Sequence, residues 1–163
     1  MTKRLSTMVA ILAISATLQV SSASVAKDNV RLTVYNQTTG KVFTFTDAEL
    51  AAMPQSTIKT ETIWTEGQQK FSGPSLNVVL DVTDWNGGDL KITALNDYSV
   101  NYSANLVEAE VPILAIRQND KTISVREKGP IWLMFPFGEA EYRREELFAL
   151  SVWQINRLDI IGD

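Results

Sequence analysis

Four short segments gather residues that can do chemistry. They are Ile63-Trp64-Thr65-Glu66, Asn96-Asp97-Tyr98-Ser99, Arg126-Glu127-Lys128-Gly129-Pro130-Ile131-Trp132 and Ser151-Val152-Trp153-Gln154. Each sets an aromatic face beside polar groups, and together they hold three of the chain's four Trp. An aromatic face can stack on a planar ring, while carboxylate, amide, guanidinium and hydroxyl groups can pair with that ring's polar edge. Apolar walls with a few placed polar groups are the composition of a small-molecule pocket. The same residues also have a plainer reading. Trp64, Trp132 and Trp153 are then core side chains, and Arg126-Glu127-Lys128 is a surface turn. On residue types alone the plainer reading stands first.

Much other chemistry is excluded. The 163 residues contain no Cys and no His. That removes disulfides, thiolate nucleophiles, Cys-ligated metals and iron–sulfur clusters. It also removes Ser-His-Asp hydrolysis, His-ligated metals and the commonest general base. Asp81, Asp84, Asn86 and Asp89 are oxygen ligands in close succession, but their spacing is that of a helix end and turn, not of a calcium loop. Gly87-Gly88 opens no long helix and is no phosphate cradle. Glu139, Glu141, Glu145 and Glu146 beside Arg143 and Arg144 read as a solvated helix face, and no spacing singles out a pair of carboxylates for acid–base work. With 15 Lys and Arg against 19 Asp and Glu, the net charge is −4, which suits no nucleic-acid partner.

The elements that must position the four segments follow from the pattern. Residues 1–26 have the layout of a cleavable secretory signal peptide: Lys3-Arg4, an apolar stretch from Leu5 to Val20, then small residues at Ser24-Val25-Ala26. The stretch is short and interrupted for a membrane span. The expected location is therefore a bacterial periplasm, with residues 27–163 as one domain. Val30–Tyr35 and Lys41–Phe45 read as a strand pair around Thr38-Thr39-Gly40. Thr46 and Glu49 match a capping box for a brief helix stopped by Pro54. Ile58–Trp64 and Gln68–Ser72 read as strands around Glu66-Gly67. Pro74-Ser75 opens a short helix with Leu76, Val79 and Leu80 on one face. Asn86-Gly87-Gly88-Asp89 is a tight turn. Leu90–Leu95 and Tyr98–Tyr102 read as strands, and Ser103 as the cap of a helical turn. Pro112–Gln118 and Ile131–Phe135 read as buried strands, and Val152–Ile161 as the last one. Strands mixed with brief helices argue an α+β domain with a mixed sheet or barrel.

From about Val30 to Ile161 the chain resembles the small exported members of the sulfite-oxidase fold, the oxidoreductase molybdopterin-binding domain family. The pieces that carry the resemblance are Phe71-Ser72-Gly73-Pro74-Ser75-Leu76 with Val79-Leu80, Ala94-Leu95-Asn96-Asp97-Tyr98-Ser99, Ile113-Leu114-Ala115-Ile116, Val125 through Pro136, and Ser151-Val152-Trp153-Gln154-Ile155. Three departures accompany it. The strand that would bear the molybdenum-ligating Cys reads Thr60-Glu61-Thr62-Ile63-Trp64. An Arg that would meet the cofactor phosphate aligns with Trp132, and a cationic Lys aligns with Trp153. Arg126 and Lys128 remain nearby.

The resemblance implies a pterin-binding domain, and the departures imply that the pterin is free, metal-free and unphosphorylated, such as a neopterin- or tetrahydropterin-like molecule. The implied site is Trp64, Asn96, Asp97, Tyr98, Ser99, Arg126, Lys128, Trp132, Ser151 and Trp153. Trp and Tyr faces would stack on the ring. Asp97 would accept from its amino-pyrimidinone edge, and Asn96 or Arg126 would meet its carbonyl. Lys128, Ser99 and Ser151 would hold its side-chain hydroxyls. No catalytic residue and no metal are expected. The resemblance further implies a periplasmic sensor that regulates a membrane-bound signalling protein, a cyclic-di-GMP enzyme or a sensor kinase. Two other readings stay open. One is a molybdopterin-dependent oxidoreductase with an oxygen ligand such as Glu61 or Thr62. The other is an interaction subunit without a ligand.

Overall fold

The first hairpin shows how local chemistry sets the frame. In the computed structural model, which describes residues 30–142 and 145–162, β1 (Val30–Asn36) turns back into β2 (Lys41–Thr46). Asn36 is buried at the corner, and its Oδ1 accepts from Thr38 N and Thr39 N. Its Nδ2 donates to Thr83 O and Asp84 O, so one amide closes the turn and ties it to the middle of the chain. The expected leader, residues 1–26, lies outside the described residues, as do Arg143 and Arg144.

The expected capping box is present. Thr46 Oγ1 accepts from Glu49 N, and Glu49 Oε2 accepts from Thr46 N, at the start of α1 (Asp47–Ala52). β3 (Ser56–Thr60) then pairs antiparallel with β4 (Gln69–Gly73). β3 ends at Thr60 rather than running on to Trp64. The cause is local: Thr62 Oγ1 accepts from Trp64 N and shares a hydrogen bond with Thr65 Oγ1, which offers the backbone a turn in place of the ladder. Trp64 is thereby placed on a loop.

α2 (Leu76–Asp81) buries Leu76, Val79 and Leu80, as its spacing predicts, and Ser75 Oγ caps it by accepting from Val78 N. β5 (Leu90–Ala94) and β6 (Ser99–Tyr102) follow. The next 3-10 turn, Ala104–Leu106, is not capped by the side chain of Ser103. Asp89 does that instead, its Oδ1 accepting from Ala104 N at 2.7 Å. The expected single strand over 112–118 is divided. β7 (Ile113–Ala115) and β8 (Arg117–Gln118) belong to different sheets, because Ile116 N donates to Ser72 O and the chain changes partner there. β9 (Lys121–Thr122) returns along β8. β10 (Trp132–Met134), α3 (Glu145–Leu150) and β11 (Ile155–Ile160) complete the domain.

The strands sort into three sheets rather than one barrel, and the architecture is α+β. A five-stranded mixed sheet has the order β2-β1-β11-β5-β6, with β1 and β11 parallel. A four-stranded sheet has the order β3-β4-β8-β9, and β7 and β10 form a two-stranded sheet. β4 and β7 approach so closely that a Cβ on Gly73 would collide with Leu114 O. Between the sheets lies one apolar core that includes Leu32, Phe71, Leu80, Ile92, Leu114, Trp132 and Leu158. Burying such side chains contributes about 1.5–3 kcal/mol each against exposure. No helix of the described residues is long and apolar enough to cross a membrane.

Candidate functional site

Four loops converge at one edge of this core: the turn at Thr62–Thr65, the β5–β6 turn at 95–98, the segment 124–130, and the segment 151–154. Three of them, without the segment 124–130, line a cleft of 410 Å³ through Trp64, Asn96, Tyr98, Ser151, Val152 and Trp153, together with Ala94 of β5 and Phe148 and Ala149 of α3. Five of the ten expected residues are thus brought together: Trp64, Asn96, Tyr98, Ser151 and Trp153.

The walls are aromatic. The Trp64 and Trp153 rings meet edge to face at 5.7 Å, and Trp64 also packs on Phe148 at 5.9 Å. Phe148 in turn stacks face to face on Phe137 at 4.2 Å. Tyr98 is 54% exposed and Trp153 37% exposed, so both present faces to the cleft mouth. Asn96 supplies the polar edge. Its Oδ1 accepts from Tyr98 N at 3.2 Å, and its Nδ2 has no partner among the described residues. Among the described residues no charged side chain lines this cleft.

The other expected residues fall elsewhere. Trp132 is 1% exposed, and its Nε1 donates to Ser151 O at 3.2 Å. For this residue the plainer reading holds: it is core, and it supports the cleft from behind through contacts with Trp64 at 5.9 Å and Trp153 at 6.2 Å. Ser151 lines the cleft but is 2% exposed, and its Oγ donates to Leu147 O. Its hydroxyl hydrogen is therefore spent on the protein rather than on a ligand. Asp97 is exposed with φ +64°, next to Asn96 but outside the lining; the tight turn projects alternate side chains apart. Ser99 pairs with Thr93 at the start of β6 and does not line the cleft.

Arg126 and Lys128 line a second, more polar cleft of 480 Å³ with Lys121, Thr65, Thr122 and the edge of Trp132. Trp64 and Trp153 line the first cleft and Trp132 lines the second. Lys128 links them: its Nζ is 5.7 Å from the ring centroids of both Trp132 and Trp153. A cation over two indoles is held by their ring quadrupoles.

Sequence reasoning missed Phe148 and Gln154. Phe148 sits in an acidic run that reads as a solvated face, and only its neighbour Leu147 hints at an inward side. Gln154 closes the fourth segment but is given no role there; it matters through its backbone and its side-chain amide, described below.

Among the described residues no group of three or more Asp and Glu side chains gathers to hold a metal ion. No thiolate exists in the chain, and the Thr62 hydroxyl is engaged with Thr65 and Trp64, although Glu61 and Thr62 together line a further cleft with Gln68 and Phe137. What the first cleft can do chemically is stack a planar ring and donate one amide N–H to its edge. No protein-family profile matches the chain, and no curated protein matches it.

Proposed function

We propose that this protein binds a free, metal-free pterin without transforming it, and that it does so in the periplasm as a sensor for a membrane-bound signalling protein, a cyclic-di-GMP enzyme or a sensor kinase. The observation that carries the reading is a cleft with no charged side chain among its described lining residues, whose exposed Trp153 and Tyr98 faces flank an Asn96 Nδ2 without a partner among the described residues. Its volume falls in the range of about 300–1,000 Å³ typical of small-molecule pockets. A pterin is planar and heteroaromatic, and stacking contributes about 1 kcal/mol per face beyond burial. The Asn96 amide donates to the pterin carbonyl, and the Tyr98 hydroxyl meets the rim. Among the described residues the lining has no carboxylate or amine poised for proton transfer, which favours binding over catalysis.

The partner and the location come from the family resemblance and the leader-like residues 1–26. Calorimetric titration of the protein with tetrahydropterins and neopterin tests the binding. Saturable one-to-one heat supports it, and no heat with any of them rejects it.

A further inference from the structure

The backbone at Gln154 is unusual. Leu133 N donates to Val152 O, and Ile155 N donates to Ile131 O. Between those two bonds Trp132 faces Trp153, and Gln154 is one residue too many. This is a β-bulge, a device that re-aims a neighbouring side chain. Gln154 has φ +58°, the left-handed region that favours glycine. A sequence concerned only with the turn would place glycine there.

The Gln side chain does something glycine cannot. Its Nε2 donates to Val125 O at 2.8 Å. Its backbone N donates to Lys128 O at 3.1 Å, and its backbone O accepts from Leu95 N at 2.9 Å. One residue therefore stitches three loops: the β5–β6 turn that carries Asn96 and Tyr98, the 124–130 loop that carries Lys128, and its own, which carries Trp153. Lys128 then lies over the Trp153 ring.

We infer that Gln154 is the positioning residue of the aromatic cleft: the bulge turns Trp153 outward, and the Gln154 amide locks the Val125–Lys128 loop behind it. Strain in the backbone is exchanged for a fixed Trp153 face. Gln154 touches no ligand in this scheme; it acts through Trp153. The inference rests on the pterin-binding reading for affinity only, since the fixing of Trp153 is a property of the free protein.

The test is Gln154→Gly in the whole protein carrying 5-fluorotryptophan, read by fluorine NMR, thermal melting and titration with tetrahydrobiopterin. The glycine relieves the backbone and deletes the amide, so the melting temperature stays level or rises. The Trp153 resonance should broaden or shift while that of Trp85, remote in the fold and bonded to Gly88 O, stays put. Tetrahydrobiopterin affinity should fall about tenfold, the upper end for loss of one hydrogen bond. An unmoved Trp153 resonance overturns the inference, as does unchanged affinity where the wild type binds. If the wild type binds no pterin, the functional reading fails, and the Trp153 resonance still decides the role of Gln154. Should the glycine variant melt early, Gln154→Asn serves: it accepts the left-handed backbone but is one methylene too short for Val125 O, and the same shifts are expected.

Discussion

The Trp153 ring meets Trp64 edge to face, with centroids 5.7 Å apart and planes inclined by 72°. Two rings in that contact leave no slot for a third between them. A bound ring therefore stacks on a free face at the cleft mouth, and of the two indoles it is Trp153 that offers one there.

Trp153→Ala should consequently weaken tetrahydropterin binding by about tenfold, from the loss of one stacked face and its buried area, with little effect on melting. Trp132→Ala should do the opposite. Its ring is buried in the core, and the cavity left costs about 3–5 kcal/mol of stability. Calorimetric titration and thermal melting of the two variants separate the roles.

Asn96 and Asp97 are adjacent, yet only Asn96 lines the cleft. Asn96→Ala should lower pterin affinity by about fivefold to tenfold through loss of one hydrogen bond. Asp97→Gly should leave affinity unchanged and, because φ is +64° there, should hold or raise the melting temperature. Abolished binding in the Asp97 variant would restore the carboxylate to the site.

Metal analysis of the protein purified from molybdenum-replete cells should find no stoichiometric molybdenum, because the chain offers no thiolate and the Thr62 hydroxyl is engaged. One molybdenum per chain would turn the reading toward an oxidoreductase.

Stability should narrow at both ends of the pH scale for identifiable reasons. Burial and the hydrogen bond from its hydroxyl to Glu108 push Tyr142 up to about 12. Its contribution is complete below the ordinary phenol value of 10 and is lost as pH rises toward 12. Tyr142→Phe should flatten that alkaline limb only in part, since burial raises Tyr102 as well. On the acid side, the backbone N–H and the hydroxyl of Thr46 hold Glu49 below its ordinary 4.5. Its contribution is present above 4.5 and disappears as pH falls through the lowered value. Glu49→Gln should flatten the acid limb. Melting curves across pH check both.

The parts of the fold legible in the sequence are those set by neighbours in the chain. The Thr46–Glu49 capping box, the Leu76-Val79-Leu80 face and the return strand read at Lys41–Phe45 all follow from spacing and turn chemistry. Where the outcome depended on a distant partner, spacing misled. The apolar run at 112–118 reads as one strand, but Ser72 O captures Ile116 N and divides it between two sheets. Thr-rich β-branched residues at 58–64 read as a strand, but hydroxyl bonds at Thr62 win over propensity. The same holds for the cleft. Aromatic residues beside polar groups flagged Trp64, Tyr98 and Trp153 along with Trp132, while a buried scaffold Trp and an exposed wall Trp look identical in one dimension. Trp132 could be told from Trp153 only by what packs behind each.

The parallel pairing of β1 with β11 carries a kinetic consequence. Thr33 aligns with Arg157, and β11 also holds β5, so the middle of the five-stranded sheet is a strand near the far end of the sequence. Closing so wide a loop is entropically slow, and it must precede any reward from the pairing. The hairpins β1–β2, β3–β4 and β5–β6 can form early and wait. The central sheet therefore closes last, and until β11 arrives the adjoining edges of β1 and β5 stay unpaired and open to wrong partners.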